Sequence, residues 1–324
     1  MSKKLSRRAV LGGLAGLAVS GARADADWPT RTVTIIHGFP AGGPSDVVAR
    51  LIADGLSQAL GQSVIVEAHP GASGTKAAAE VARAAPDGYT LSVIPSGHAS
   101  AAATFANLPY RSVEDFTTIS LASEYPYVMA TNADSGIKSV AELISTAKSR
   151  PNPLLYGTPG IGSGPHLAIE LFALQTKIKV LHVPYRGSAP AVLELVGGRI
   201  DFMMDPPASM MEFVRSGKLR ALAVSSAEDY FALPATPTIA ESGVPGFDVR
   251  AWQGLVAPAG LPEPILNRLN TEVVRILKEP QTVERMHTFG NAPAPTTPEE
   301  FRKRLVDDIA KWTDVAEQIH FEKI

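Results

Sequence analysis

Five glycine-rich stretches hold the residues best suited to chemistry. They are "FPAGGPSD" (39–46), "HPGASG" (69–74), "PSGHAS" (95–100), "TPGIGSGPH" (158–166) and "PYRGSAP" (184–190), and each follows an extended apolar run. A short turn into a helix leaves several backbone N–H groups without an intrahelical partner, and the helix dipole adds partial positive charge there. Such a turn can hold an anion without any basic side chain. Glycine suits it because the backbone tolerates positive φ and lets a ligand come close. One stretch of this kind is an ordinary connection between strand and helix. Five of them, each at the end of an apolar run, point to a shared anion site.

The ionisable residues near these turns have more than one reading. Ser45 can cap the helix that follows the first turn, and Asp46 can either cap it or accept a hydrogen bond from a ligand hydroxyl or amine. His37, His69, His98 and His166 all fall at strand ends or helix starts. Their spacing matches no metal motif and the chain has no cysteine, so no metal site is expected. A hydrogen bond from one of them to a ligand is the better reading. If His37 or His98 met a carboxylate, affinity would rise as pH falls through the histidine range. Asp201 and Asp205 lie four apart around "FMM" with no nucleophile beside them, and Asp205 reads as a loop organiser or an acceptor for a donor. Arg186 can pair with a ligand carboxylate or bridge two lobes. Ser163 and His166, three apart, could touch as in a hydrolase, but nothing is placed to orient the histidine. Trp252 and Trp312 read as core. "GIGSGP" and "GASGTK" have the wrong spacing for dinucleotide and P-loop motifs, and "GIGSG" is not a nucleophile elbow. No cofactor is expected.

The chain is 324 residues long, enough for about two domains. Its first residues, "MSKKLSRRAVLGGLAGLAVSGARADADW", run from a basic start through a short apolar stretch to small residues at Ala22 and Ala24. That is the order of a cleaved export signal, with Arg7 and Arg8 resembling a twin-arginine pair. The expected leader is 1–24 and the expected location the periplasm. Residues 1–24 carry five basic and no acidic residues, so the remainder has 25 basic against 32 acidic residues, a net charge of −7. Such a surface does not attract nucleic acid or anionic lipid, and an anionic ligand must be held by local groups.

Positioning the turns requires alternating strands and helices. "RTVTIIHGF", "QSVIVEAHPG" and "TLSVIPSGHAS" read as strands, the last ending in a small polar loop. "SDVVARLIADGLSQALG" and "GTKAAAEVARAAPDGY" read as helices between them, the first ending at Gly61. A second unit follows through "YVMATNADSG", the helix "SVAELISTAKSR" with a capping box at Ser139 and Glu142, and two further strand–turn–helix passages. "LRALAVSS" adds a strand, "WQGLVAPAGLPEPILNRLNTEVVRIL" a strand and a helix, and Thr297, Pro298 and Glu300 open a last amphipathic helix. The pattern predicts two α/β units with doubly wound parallel sheets. The chain is expected to cross between them near Tyr127 and return near Val249. The expected domains are 25–127 plus 249–324, and 128–248, facing each other across a hinged cleft.

"FPAGGPSDVVAR", "PGASG", "APDGYTL", "HVPYRGSAPA", "LVGGRIDFMMD", "SGKLRALAVSS" and "GLVAPAGLPEPI", in that order from about Trp28 to the C-terminus, resemble the Bug-type receptors. These are the periplasmic solute receptors associated with tripartite tricarboxylate transporters. The resemblance implies a type II periplasmic binding protein fold that closes on a small carboxylate, held largely by backbone amides and ordered waters, and no enzymatic activity. Carried onto matching positions, it implies contacts from Phe39, Ala41, Gly42, Gly43 and Asp46 in one lobe, with Gly71, Ala72, Ser96 and Gly97 nearby; His98 joins them on the residue reading above. From the other lobe it implies Gly160, Gly162, Ser163, His166, Tyr185, Arg186, Gly187 and Asp205. Three positions depart from the family pattern: His37-Gly38, Pro206, and Gly164-Pro165 where serines are frequent. These affect ligand identity more than ligand class.

Three functions remain open from sequence. The first is a receptor, expected to be monomeric, that delivers a mono- or dicarboxylate, aliphatic or aromatic, to membrane transporter subunits. The second is a periplasmic sensor or carrier serving a signalling partner. The third and weakest is a hydrolase using Ser163 and His166.

Overall fold

The computed structural model describes residues 28–324, so the expected leader and its cleavage site lie outside the described residues. The first sheet contains β1 (Val33–His37), β2 (Val64–Ala68), β3 (Thr90–Pro95), β4 (Phe116–Pro126), β10 (Arg250–Pro258) and β11 (Ala292–Pro293), in the order β11-β4-β10-β3-β1-β2. The second contains β5 (Val128–Asn132), β6 (Leu154–Thr158), β7 (Val180–Pro184), β8 (Phe202–Asp205) and β9 (Leu219–Val224), in the order β7-β6-β8-β5-β9.

The two orders share one plan. Three parallel strands form one side of each sheet: β2-β1-β3 and β7-β6-β8. The strand that has just arrived from the other sheet, β10 or β5, is then inserted antiparallel beside the third. The fourth strand, β4 or β9, pairs antiparallel with that newcomer. The parallel sheets expected from the sequence thus each carry an inserted strand of opposite sense. A strand entering straight from the other sheet needs no crossover helix, so it runs against its neighbours.

The crossings fall between β4 and β5, at Tyr127, and before β10, at Val249. Ser225, at the end of β9, ties them together. Its N–H donates to the Tyr127 carbonyl, and its carbonyl accepts from the Val249 N–H. Its hydroxyl accepts from the Tyr127 N–H and donates to the Val249 carbonyl. All of this is buried.

Helices cover the sheets. α1 (Pro44–Leu60) has proline in its first turn and ends at Gly61, whose φ of 65° is the left-handed stop expected there. α1 packs with α8 (Glu263–Leu277) around Ile52, Leu56, Leu269 and Val273, over Ile35 and Leu91. α10 (Pro298–Gln318) opens with the expected capping box of Thr297 and Glu300. At α4 (Val140–Ser149) only half of the box forms: Ser139 accepts from the Glu142 amide, while the Glu142 carboxylate accepts from the Lys138 amide. Trp252 is fully buried, edge-on to Phe301, and donates its indole N–H to Asp308 at 2.7 Å.

The expected polar loop after β3 is instead α3 (Gly97–Thr104). Its sequence, "GHASAAAT", shows no amphipathic contrast, so periodicity could not reveal it. Ala99, Ala101 and Ala103 are buried, which allows α3 to lie close against α10. The other helices are α2 (Thr75–Ala82), α5 (Gly164–Thr176), α6 (Ser188–Val196), α7 (Pro207–Arg215) and α9 (Pro280–Thr288).

Candidate ligand-binding site

At the first turn Gly43, not Ser45, holds the cap position, because Pro44 takes the first helical place. Asp46 reaches back and organises the turn. Its Oδ2 accepts from the Gly42 N–H at 2.9 Å and from Arg50 Nε at 2.9 Å, and its Oδ1 meets His37 Nε2 at 3.0 Å. The Arg50 hydrogen bond, followed by those of Gly42 and His37, holds its carboxyl down at about 2 despite burial. The buried Asp46 is therefore committed within the protein, and so is His37 at Nε2.

The second turn folds onto the first. A Cβ at Gly38 would collide with the Gly74 backbone, and one at Gly74 would press on the Phe39 ring at 3.1 Å. The departure at Gly38 thus has a packing reason. In the same turn Ala72 and Ser73 adopt φ of 45° and 55°, a conformation that costs non-glycine residues on the order of 1 kcal/mol each. Gly71 and Ala72 are exposed. Phe39, Gly74, Pro95, Gly97 and His98 line one narrow cavity of about 20 Å³, room for a single water. The first three turns therefore converge.

His98 turns into the core of that lobe. It is stacked on Tyr110 at 5.2 Å, its Nε2 donates to the Ser112 carbonyl at 2.9 Å, and desolvation lowers it to about 4. The expectation of a ligand bond from His98 is corrected at that nitrogen. His69 lies between Glu67 and Glu80, at 3.2 and 2.8 Å.

In the second lobe, Ser163 caps α5 and donates its hydroxyl to the Gly160 carbonyl at 2.8 Å. His166 accepts the Gly162 N–H on Nδ1 at 3.0 Å. The Ser163 hydroxyl and the His166 ring are thus each bonded to the turn's backbone and not to each other, so no nucleophile–base pair forms. Tyr185 and Gly187 donate their amides to the Thr158 and Pro159 carbonyls, both at 3.0 Å. Arg186 is exposed and has no ion pair among the described residues. Asp201 pairs with Arg150 at 2.9 Å and accepts the Leu155 amide, which separates it from Asp205 in role.

The lobes meet at Tyr127. Its ring lies against Gly164, where a Cβ would overlap the hydroxyl. The same hydroxyl stands beside Ser96 at the start of α3. Gly162 lies against Thr104 of α3, with 2.9 Å from a notional Cβ to Oγ1. Asp205 ends β8 fully buried near Tyr125 and Tyr127, beside Ser188, with Ser209 donating to its Oδ2. Its Oδ1 has no partner, and desolvation raises it to about 6. The turns at 96, 160–164 and 187–188 thus gather around Tyr127 and Asp205.

The turn amides divide into those bonded within the protein and those without a partner. Those of Gly42, Gly160, Gly162, Ser163, Tyr185 and Gly187 are satisfied internally. Those of Phe39, Ala41, Gly43, Gly71 and Arg186 have no partner among the described residues. Sequence reasoning did not single out Tyr127 for the site, nor Thr158, His182, Ser188 or Ser209. Only Tyr127 carried a signal, its place at the crossing.

The chain matches the sequence profile of the tripartite tricarboxylate transporter family receptor over residues 48–321. An R. palustris protein solved with adipate is 36% identical, with a TM-score of 0.79, over 90% of this chain and 98% of that one. MatC from Rhodopseudomonas palustris, solved with bound malate, is 37% identical, with a TM-score of 0.75, over 89% and 99%. The periplasmic binding protein BugD is 32% identical, with a TM-score of 0.77, over 92% and 100%. The fold is thus the type II periplasmic binding protein fold, and these relatives are binding receptors, not enzymes. The chain belongs to the tripartite tricarboxylate transporter family of receptors, among its Bug-type members.

Proposed function

We propose that this protein captures a small carboxylate between its two lobes and delivers it to a tripartite tricarboxylate-type membrane transporter. The domains are taken as 25–127 plus 249–324, and 128–248, each built on one sheet. The protein acts as a periplasmic monomer after loss of its 1–24 leader. The observation that carries the reading is the set of unpartnered amides at Phe39, Ala41, Gly43 and Gly71, on turns that pack against one another at the ends of parallel strands. Backbone amides at a helix start suit a carboxylate, and the adipate and malate found in similar proteins support that class.

A panel of carboxylates including adipate, malate and benzoate tests the reading by thermal shift. Saturable stabilisation without turnover is expected, reaching about 2.7 kcal/mol at one hundred times the dissociation constant. Stabilisation by none of them, or by cationic amines instead, overturns it.

A further inference from the structure

Tyr156 and His182 are direct partners in the parallel pairing of β6 and β7, so their rings share one face of the sheet. Their centroids are 5.0 Å apart. His166, descending from α5, covers His182 with centroids 3.9 Å apart and planes 18° from parallel. Thr158, two residues beyond Tyr156, lies on the same face and meets His182 Nε2 at 2.6 Å.

These side chains hold the 160–163 turn. The Thr158 hydroxyl donates to the Gly160 carbonyl at 3.1 Å. A hydroxyl has one hydrogen, so with that bond made Thr158 accepts from His182 Nε2–H. Gly162 N–H donates to His166 Nδ1, so that nitrogen carries no proton. His166 is therefore neutral, and desolvation lowers His182 to about 4, so both rings are uncharged at neutral pH, each bonded to the turn or to its anchor. Around them stand Glu170, bonded to the Tyr156 hydroxyl and 3.9 Å from His166 Nε2, and the Phe321 ring at 5.8 Å.

We propose that His182, acting through Thr158, and His166, acting on Gly162, are positioning residues that fix the 160–163 turn in its ligand-receiving form. The inference rests on the reading above that this turn faces the ligand. It assigns a role to His182 and turns His166 from a ligand contact into a support. The rings set where Ile161 and the helix start stand; they need not touch the ligand.

The test compares His182→Phe, His182→Gln, His166→Leu and His166→Asn with wild type. Phenylalanine keeps an aromatic ring in the stack and loses the donor to Thr158, whereas glutamine restores an N–H near the Nε2 position. Asparagine places an oxygen near the Nδ1 position to accept from Gly162, and leucine does not. Two readouts are taken: amide hydrogen exchange of Gly160 and Gly162 without ligand, and titration with whichever of adipate, malate and benzoate stabilises wild type most. The His182→Phe and His166→Leu proteins should exchange the turn amides at least tenfold faster and bind about tenfold more weakly. The glutamine and asparagine proteins should stay within about threefold of wild type on both readouts. His182→Phe and His166→Leu proteins with unchanged exchange and affinity overturn the proposal, since a purely packing role predicts that result. If wild type binds none of the carboxylates, the site reading fails, and the exchange data still decide the positioning role.

Discussion

Gly164 and Tyr127 occupy one space: the position a Cβ would take at residue 164 is filled by the tyrosine hydroxyl. The contact joins the start of α5 to the crossing between the sheets, and it accounts for the glycine at 164. A Gly164→Ala protein should be less stable by about 1–3 kcal/mol, the usual penalty for overpacking. Adding Tyr127→Phe removes the obstructing oxygen and should recover most of that loss. Urea unfolding of both single variants and the double should give a coupling of at least about 0.5 kcal/mol; strictly additive effects would show that the two residues do not compete.

Asp46 should control the acid limit of the first lobe. Its folded carboxyl sits at about 2, below the ordinary 3.8, so it binds its proton less readily in the folded than in the unfolded state. Its contribution is complete above about pH 4 and disappears as pH falls toward 2. Asp46→Asn should be less stable than wild type at pH 7 by on the order of 2 kcal/mol. The gap should close near pH 2 in acid titrations followed by circular dichroism. A gap independent of pH would assign the effect to shape and not to charge.

Asp205 has the opposite sign. Burial raises its folded carboxyl to about 6, so the folded protein favours the protonated form and loses stability as pH rises from about 4 to 6. Asp205→Asn should therefore melt higher than wild type at pH 8, with the difference shrinking at pH 4. Melting curves of the two ligand-free proteins at both pH values check this; a lower melting point for the variant at pH 8 would mean that the carboxylate is compensated.

Three histidines work against Asp205 over the same window. Desolvation lowers His98 and His182 to about 4 and His166 to about 3. Each stays neutral in the folded protein while the unfolded chain takes up protons below about 6.5, so stability falls as pH drops from that value toward 4. With three such groups against one, wild type should be more stable at pH 7 than at pH 4.5. In Asp205→Asn the dependence should be steeper. Denaturant midpoints across pH 4 to 8 measure both slopes, and a flat wild-type profile would contradict the assignment.

Ser225 should matter beyond its size. Replacing it with alanine leaves the buried Tyr127 N–H without its hydroxyl acceptor and removes a bond to the Val249 carbonyl. The expected loss is about 1–3 kcal/mol. Chemical denaturation reads it directly, and an unchanged midpoint would show that water replaces the hydroxyl.

Much of this protein could be read along the chain. The turns, Gly61 as a helix stop and the Thr297–Glu300 box are local features, specified by residues a few positions apart. What escaped was either patternless or remote. α3 is almost all small residues, so it has no polar face to contrast with a buried one. His182 reads as one polar residue in a strand, and only the pairing of β6 with β7 brings it beside Tyr156 and under His166.

The sequence by itself determined the alternation of strand, glycine turn and helix, the family, and the turns whose amides lack helical partners. Tertiary structure alone decided which of those amides remain open. Asp46, His166 and Thr158 bond to the turn amides first, and Tyr127 meets Gly164 across the lobes. The physical reason is distance along the chain. Periodicity and capping act over one or two helical turns, whereas hydrogen bonds and contacts between lobes depend on how separate elements are brought together in space.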